Sequence, residues 1–540
     1  MIRIIYFILL FCCISLICKG QEVHEFYRWN ENKKNYEFDF RSSHLTKTLD
    51  SLSTNGYYTL QVDSVKGKRV YLNKGKNYKR IWVKNEILFK DQAFHSTYNL
   101  DSIISDYINE QEAKGYTFAN VQLIPLGFKD EEQQLELKLN LGSQRKIDAV
   151  KSIGYTKLSK GYIKYGLGLK PNKIYTDDVL QNASRIMHST AFIEEVQAPQ
   201  TLFRPDSTIV YLYTKKLKSN VFDGILGFGN DEQGKFKLNG NVLLELNNVF
   251  NGLEQIRFNW IGTANRNTTL DFRVKVPYLL KSPIGSETQF KIFKQDSVFV
   301  NLNLQERLFY HLSPNSSIGV NLMYTSSNYL LDDAVFAAAY DDYNKIGFGL
   351  SYDYFQKHAL YLMEGKSMLK VLAATVSRKE ANYSLTEEYI NKKSKQYEIG
   401  LETYRLFELS QKHYFKVLAS FKTLIDQDDE FSENELYRIG GFGSVRGFNE
   451  ESIVANMYGI GGIEYRFLPN EGFYVSLFGD YAFTENKRVD LHSNFLSFGT
   501  GLSFLTKLGI FNLSYAVGKT NNLPFDFKDS KIHFGILSQF

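Results

Sequence analysis

Two hydrophobic rhythms divide the chain. Up to about Leu217, leucines and isoleucines recur every three or four positions in three stretches, each followed by alternating apolar and polar residues. "HLTKTLDSLSTNGYYTLQVDSV" (44–65), "LDSIISDYINEQEAKGYTFANVQLIP" (100–125) and "YTDDVLQNASRIMHSTAFIEEVQAP" (175–199) each predict an amphipathic helix, a polar turn and a strand. Thr176, Asp177 and Asp178 supply capping residues for the third helix. A further strand follows each copy, at "KRVYLNKG", "QLELKLNLG" and "STIVYLYTK". Helix then hairpin, recurring at roughly 55 to 75 residues, reads as an internal array.

From residue 218 onward the period is two. The stretch holds about sixteen alternating segments, roughly twenty residues each, which allows a strand of about ten residues plus its share of turns. In "FYVSLFGDYAF" (473–483) Phe473, Val475, Leu477, Tyr481 and Phe483 form one apolar face, with Ser476, Phe478, Asp480 and Ala482 on the other. In the closing "KIHFGILSQF", Ile532, Phe534, Ile536 and Phe540 share a face opposite His533, Gly535 and Gln539. Soluble sandwiches and propellers alternate too. Here the final strand ends on the aromatic Phe540, and Phe534, Ile536 and Phe540 read as a terminal-strand signal for membrane insertion. No apolar run after residue 20 reaches the roughly 20 residues of a spanning helix. In lipid every backbone polar group needs an internal partner, so membrane strands persist only as a closed barrel. The expected fold class is α+β modules followed by an all-β transmembrane β-barrel of about 16 antiparallel strands.

Composition sharpens this picture. With 42 Phe and 36 Tyr against 9 Pro, aromatic residues make up 15% of a chain whose mean hydropathy is negative, at −0.29. Such a load suits a sheet whose apolar face meets something other than protein. The opening "MIRIIYFILLFCCISLICKG" has Arg3, an apolar run from Ile4 to Ile17 and small residues at its end, predicting a secretory signal peptide cut after Gly20. The apolar run is too short for a transmembrane anchor, and bulky Ile17 disfavours a lipoprotein reading through Cys18. Cys12, Cys13 and Cys18 all lie in that segment, so the mature chain is expected to hold no disulfide and no thiolate metal site. Without Arg3 and Lys19, 62 basic residues face 59 acidic ones, too even a balance for a nucleic-acid partner.

One stretch carries most of the candidate chemistry. "YRIGGFGSVRGFNEES" (437–452) lies in a connection of about 30 residues between segments ending near Ile425 and starting near Met457, and loops this long are usually functional or disordered. Glycines alternate there with Ile439, Phe442, Val445 and Phe448, which need something to pack against, so the loop is expected to fold back inside the barrel. Arg446 then needs a carboxylate, and strand parity offers Asp480 on the inward face beside Phe478. Glu464 and Arg466 in "GIGGIEYRF" also point inward if Ile463, Tyr465 and Phe467 face lipid. A bidentate contact from Arg446 to Asp480 would fix the loop tip to the wall.

The helix-and-hairpin array resembles POTRA modules, small βααββ units, with a partial or degenerate module at 21–76, one at 77–142 and one at 143–217. "SVRGF" (444–448) is similar to the VRG[F/Y] loop motif of the BamA/TamA superfamily of outer-membrane assembly and translocation proteins. "FGDYA" (478–482) is similar to its F-x-D-x-G wall motif, with Ala482 in place of glycine. The order of the motifs and of the strands after them matches as well, so the resemblance covers nearly the whole mature chain. It implies that residues 218–540 form the barrel and that Arg446 and Asp480 form a loop–barrel lock. It further implies that Gly441, Gly443, Val445, Gly447 and Phe448 shape the loop, with Glu464, Arg466 and Phe478 as inward wall residues. The first and last strands would meet at a weak seam, where Gly224, Gly227, Gly229 and Gly535 loosen pairing.

The implied activity is insertion of unfolded clients into the outer membrane of a diderm bacterium, or their passage across it, with the modules in the periplasm. The implied partners are outer-membrane or secreted client proteins, outer-membrane lipids, and accessory lipoproteins or periplasmic chaperones. Translocation of one dedicated exoprotein is an alternative, and a passive porin-like channel another. No G-x-S-x-G, H-E-x-x-H or phosphate-loop motif occurs, so no catalytic residue, cofactor or metal is expected.

Overall fold

The computed structural model describes residues 23–537 except 58–59, 78–80, 86–91, 95–96, 130–131, 191, 231–235, 263–266, 331–339, 359, 361, 364, 384–388, 507–508 and 522–523. The signal-peptide reading of residues 1–20 and the terminal Phe540 lie outside the described residues. The chain divides into two compact units, one of residues 1–146 with 174–176, the other of residues 147–173 with 177–540.

The first unit holds two small sheets. Strands His24–Asn30, Asn35–Ser42, Gln61–Lys66 and Arg69–Asn73 make one, and the helix Leu45–Thr54 seats Leu45, Leu49 and Leu52 on Phe26, Val70 and Leu72. Strands Ile81–Lys84, Gln92–Phe94, Asn120–Lys129 and Glu132–Asn140 make the other, where the helix Thr97–Ala113 covers Val83, Leu135 and Leu137 with Ile103 and Ile104. A third sheet, in the second unit, contains Ala149–Gly154, Ile193–Phe203 and Thr208–Lys216, with the helix Asp177–His188 burying Ala183 and Met187.

In all three, the opening strand runs parallel to the last strand of the hairpin. A parallel pair needs a crossover, and the amphipathic helix is that crossover. The helix count differs from a two-helix unit. In the first two sheets a strand, Asn35–Ser42 or Gln92–Phe94, stands between the opening strand and the helix. In the third a short helical turn, Tyr162–Gly166, precedes the helix. The physical reason is plain in the first sheet. Tyr36, Phe38 and Phe40 alternate with polar residues, and Lys34 adopts a left-handed φ of 51° that closes a hairpin onto His24–Asn30.

Sixteen strands from Val221–Asn230 to Lys531–Leu537 form the large sheet of the second unit, each antiparallel to its sequence neighbour in the sheet. Side chains alternate, and the sense is opposite to that of a soluble protein. Along Phe473–Asn486, Val475, Leu477, Tyr481 and Phe483 are exposed, while Ser476, Phe478, Asp480 and Ala482 are buried. Along Tyr343–Gln356, Ile346, Phe348 and Leu350 are exposed and Lys345 and Ser351 buried. Apolar residues outside and polar ones inside describe a transmembrane barrel. The ends differ as such barrels require: turns 411–412 and 471–472 are tight, whereas 427–456 is long. The third sheet meets the tight-turn end. The Tyr155 hydroxyl donates to Asn251 Oδ1 at 2.8 Å, Lys216 Nζ donates to the same oxygen at 3.0 Å, and Tyr162 faces Tyr278.

An outward position in mid-wall distinguishes lipid from water as the surrounding medium. Leu350→Arg should destabilise the barrel in lipid nanodiscs by about 2–4 kcal/mol in denaturant unfolding, as expected for a cation near the bilayer midplane. Leu202→Arg, on an exposed position of the third small sheet, should stay within about 0.5 kcal/mol.

Candidate functional site

The long connection 427–456 does not project away from the wall. Its root carries a short 3-10 turn, Glu433–Glu435, and a two-stranded ribbon, Tyr437–Ile439 with Ile453–Ala455. Its contacts run round the sheet. Asn434 receives a hydrogen bond from Asn301 at 2.7 Å on its carbonyl and donates to Ser327 Oγ at 2.7 Å, Arg446 reaches Asp480, and the Gly447 N–H reaches His533. One loop touches strands this far apart only because they surround it.

At the tip, Arg446 is held by three side chains on two strands. Its Nε donates to Asp480 Oδ2 at 2.8 Å and its Nη2 to Asp480 Oδ1 at 2.7 Å, a bidentate fork, while its backbone N–H reaches the same carboxylate at 3.3 Å. Nη1 donates to Glu464 Oε2 at 2.8 Å. The guanidinium carbon lies 3.5 Å from the centre of the Phe478 ring, a close cation–π contact. Glu464 bridges onward, its Oε1 accepting from Arg466 Nε at 2.7 Å, and Arg466 lies over Tyr474. Two guanidinium groups thus face two carboxylates; Arg466, Glu464 and Asp480 are buried, and the buried Lys416 stands opposite Glu464 as a further positive charge. Such a cluster gives specificity more than net stability, because desolvation offsets much of the attraction.

The space for it is set by small residues. Asp480 stands opposite Gly462, where a Cβ would come within 2.9 Å of the Asp480 carboxylate. Gly447 has φ +90°, and a Cβ there would meet the backbone of Val517 and Gly518 at 3.1 Å. Val445 is fully buried against Ile460, Ala482 and Phe495, and Phe448 packs edge-on to Phe495. The Ala482 methyl group therefore fills part of the seat of Val445, which accounts for alanine where the similar wall motif has glycine. The Gly441 N–H donates to the Val445 carbonyl at 3.0 Å, and Gly443 lines a cavity of about 560 Å³ beside Arg446. Phe534 faces outward at 75% exposure, and Ile536 lies in the last strand.

Two groups escaped the sequence reading. The first holds the root of the loop. Arg378 contacts Asp341 at 2.9 Å, Glu380 at 2.6 Å and Glu435 at 3.3 Å, and Glu435 also pairs with Lys345. Ser432 and Glu435 close a capping box on the 3-10 turn. The S-x-x-E spacing in "SENE" was a legible signal, but it did not name Arg378 as the partner. The second is His533, whose Nε2 accepts the Gly447 N–H at 3.2 Å while Phe442 packs near Gly535. The loop tip therefore touches the last strand as well as the wall.

Residues 248–540 match the model of the Omp85 superfamily domain. Among solved structures the chain is similar to CdiB from Escherichia coli, at 12% identity over 91% of this chain and 94% of that one, with a TM-score of 0.51. It is similar to CdiB from Acinetobacter baumannii at 14% identity, over 82% of each chain, with a TM-score of 0.50. BamA from Haemophilus ducreyi lacking POTRA domains 1–3 aligns at 15% identity over 85% of this chain and 98% of that one, with a TM-score of 0.48. No curated protein is similar enough to match. At these identities the likeness is one of fold.

Removing one partner of the tip cluster leaves a buried charge uncompensated. Arg446→Ala and Asp480→Ala should each cost about 3–5 kcal/mol of barrel stability in urea, and the double variant should cost clearly less than the sum. Additive losses would mean that the pair is not coupled. At the root, Glu435→Gln should raise the protease sensitivity of residues 427–456 in folded protein while the Arg446–Asp480 coupling persists. Unchanged cleavage would show that the root does not depend on this carboxylate.

Proposed function

The chain belongs to the Omp85 superfamily, and we propose that it is an outer-membrane protein assembly or translocation factor. In this reading the small mixed sheets are POTRA modules that face the periplasm and receive unfolded client. The barrel passes that client into or across the membrane, and Arg446 with Asp480 locks the loop that occupies the lumen.

The observation that carries the proposal is the pair of sheet edges next to the latched loop. The sixteen-stranded order begins with Val221–Asn230 and ends with Lys531–Leu537, and no ladder joins these two among the described residues. Unpaired N–H and C=O groups on an edge are costly in hydrocarbon and form a template for another strand. A client strand that adds to such an edge satisfies those groups on both sides by β-augmentation. The loop contact at His533 lies on this same strand, so the state of the loop and the state of the edge are physically linked. A passive channel would leave the helix-bearing modules and the occupied lumen without a purpose.

Depletion of the protein followed by quantitative proteomics of the outer membrane and the medium tests this. The expected outcome is a several-fold fall in many outer-membrane barrel proteins. Loss of one secreted protein alone would reassign the chain as a dedicated translocator. Altered solute uptake with both proteomes unchanged would sink the proposal.

A further inference from the structure

Charge is distributed unevenly between the lumen and the barrel rim. Inside, several cations are paired: Arg446 and Arg466 with Glu464, Arg378 with Glu435, Arg307 with Asp353 at 3.0 Å and Lys422 with Glu402 at 3.2 Å. At the tight-turn end a cleft of about 1360 Å³ opens between the helix Asp177–His188 and the strand ends around Lys357, His358, Leu360 and Lys366, residues 405–414 and residues 468–471. Arg185, Lys357, Lys366, Arg405 and Lys412 line it against only Glu408 and Glu471, an excess of three positive charges. None of the five cations is paired with a carboxylate among the described residues. Arg185 donates to Asn182, and Arg405 lies over the Phe407 ring. Burial pushes the Lys357 amine down to about 8, the behaviour of an ammonium that lacks a counter-charge.

The cleft also has a defined height relative to the membrane. Phe407 is paired across the sheet with Phe415, Phe415 with Tyr465, and His413 with Phe467. Phe407, Phe467 and Leu409 are exposed on the outer face, and the Tyr465 hydroxyl lies 2.5 Å from His413 Nδ1. A row of outward aromatics across neighbouring strands marks the membrane interface of a barrel. Arg405 and Lys412 lie beside this row. Basic pockets between spanning elements at that level suit lipid head groups, and each nearby Lys or Arg is worth about 1 kcal/mol towards an anionic surface.

We propose that this cleft binds the phosphate head group of an anionic phospholipid from the adjoining leaflet, with Lys357, Lys366, Arg405 and Lys412 as the anion-binding groups. The acyl chains lie along the outer face at Phe407 and Leu409. An acidic peptide would be drawn by the same charges but has no use for the exposed apolar face next to them. The proposal rests on the membrane reading of the barrel and is independent of the client.

Full-length protein in a neutral detergent is titrated with phosphatidylglycerol, phosphatidylcholine, inorganic phosphate or a polyglutamate peptide. Binding is read as melting-temperature shift and as lipid adducts in native mass spectrometry. Phosphatidylglycerol should stabilise the protein more than phosphatidylcholine does. Lys366→Gln with Lys412→Gln should weaken that binding about 30-fold, the equivalent of two lysine contributions at 1.4 kcal/mol per tenfold. The charge-retaining Lys366→Arg with Lys412→Arg should restore it, which separates loss of charge from misfolding. Equal adducts on wild-type and the glutamine variant would overturn the proposal. So would saturation by inorganic phosphate without a lipid preference, or tighter binding of the acidic peptide.

Discussion

A strand in hydrocarbon must find a protein partner for each N–H and C=O, and that demand organises the second unit. It forces the strands to curl into a wall, and the wall in turn splits every strand into a face for lipid and a face for the lumen. Period-two alternation follows directly, with Leu477 and Tyr481 outside and Asp480 and Ser476 inside. It also creates an unusual interior, because polar side chains turned inward surround a space that a loop can enter. The contact between Arg446 and Asp480 is possible only there, since the same arginine on the outer face would meet lipid. Among the described residues no ladder joins the two ends of the sheet, and it is at these ends that the proposed activity would occur.

The loop inside the lumen is fixed at two separate clusters. Arg446 brings the tip to Phe473–Asn486 and Met457–Asn470, while Glu435 brings the root to Arg378 and Lys345 on the strands Ser367–Tyr383 and Tyr343–Gln356. Each cluster holds its charges in close ion pairs, so neither releases without leaving a charge uncompensated. The tip cluster includes two carboxylates and two guanidinium groups, and its Phe478 contact orients the Arg446 plane. Release of the loop would therefore need a second arrangement that satisfies these charges and could not be a gradual loosening. Whatever replaces Asp480 as the partner of Arg446 must offer similar charge in a similarly enclosed place. A substrate strand entering near His533 would disturb the tip first, because Gly447 is bonded to that residue and the root lies on other strands.

Much of this architecture was legible in the sequence because period two and period 3.6 are direct consequences of geometry. Alternation in "FYVSLFGDYAF" is enough to place Asp480 and Phe478 on one face, and glycines with interspersed apolar residues are enough to suggest a packed loop. The pairing of Arg446 with a wall carboxylate needed only parity and the cost of a buried charge. What parity cannot give is distance along the barrel circumference. Arg378 and Glu435 are 57 positions apart and meet only after the sheet has closed, so neither could be named from its own neighbourhood. His533 was placed on the inward face, yet its partner Gly447 carries no side chain to advertise the contact. In the modules, the helix that crosses between parallel strands was readable from its leucine spacing. The strand Asn35–Ser42 was not anticipated, although Tyr36, Phe38 and Phe40 alternate in it.

The distribution of charge follows the same logic as the distribution of apolar surface. Within the lumen the dielectric is low and unpaired ions are costly, so guanidinium and carboxylate groups appear together. At the tight-turn rim, Lys366, Arg405 and Lys412 have no carboxylate partner among the described residues. The Lys357 amine lies between these regimes: it is buried enough to lose affinity for its proton and has no protein anion among the described residues. A ligand that brings a phosphate to this height would give the rim the counter-charge that Glu464 and Asp480 give the lumen. On that view a barrel of this kind needs two sources of negative charge, one encoded in its own strands and one borrowed from the membrane that holds it.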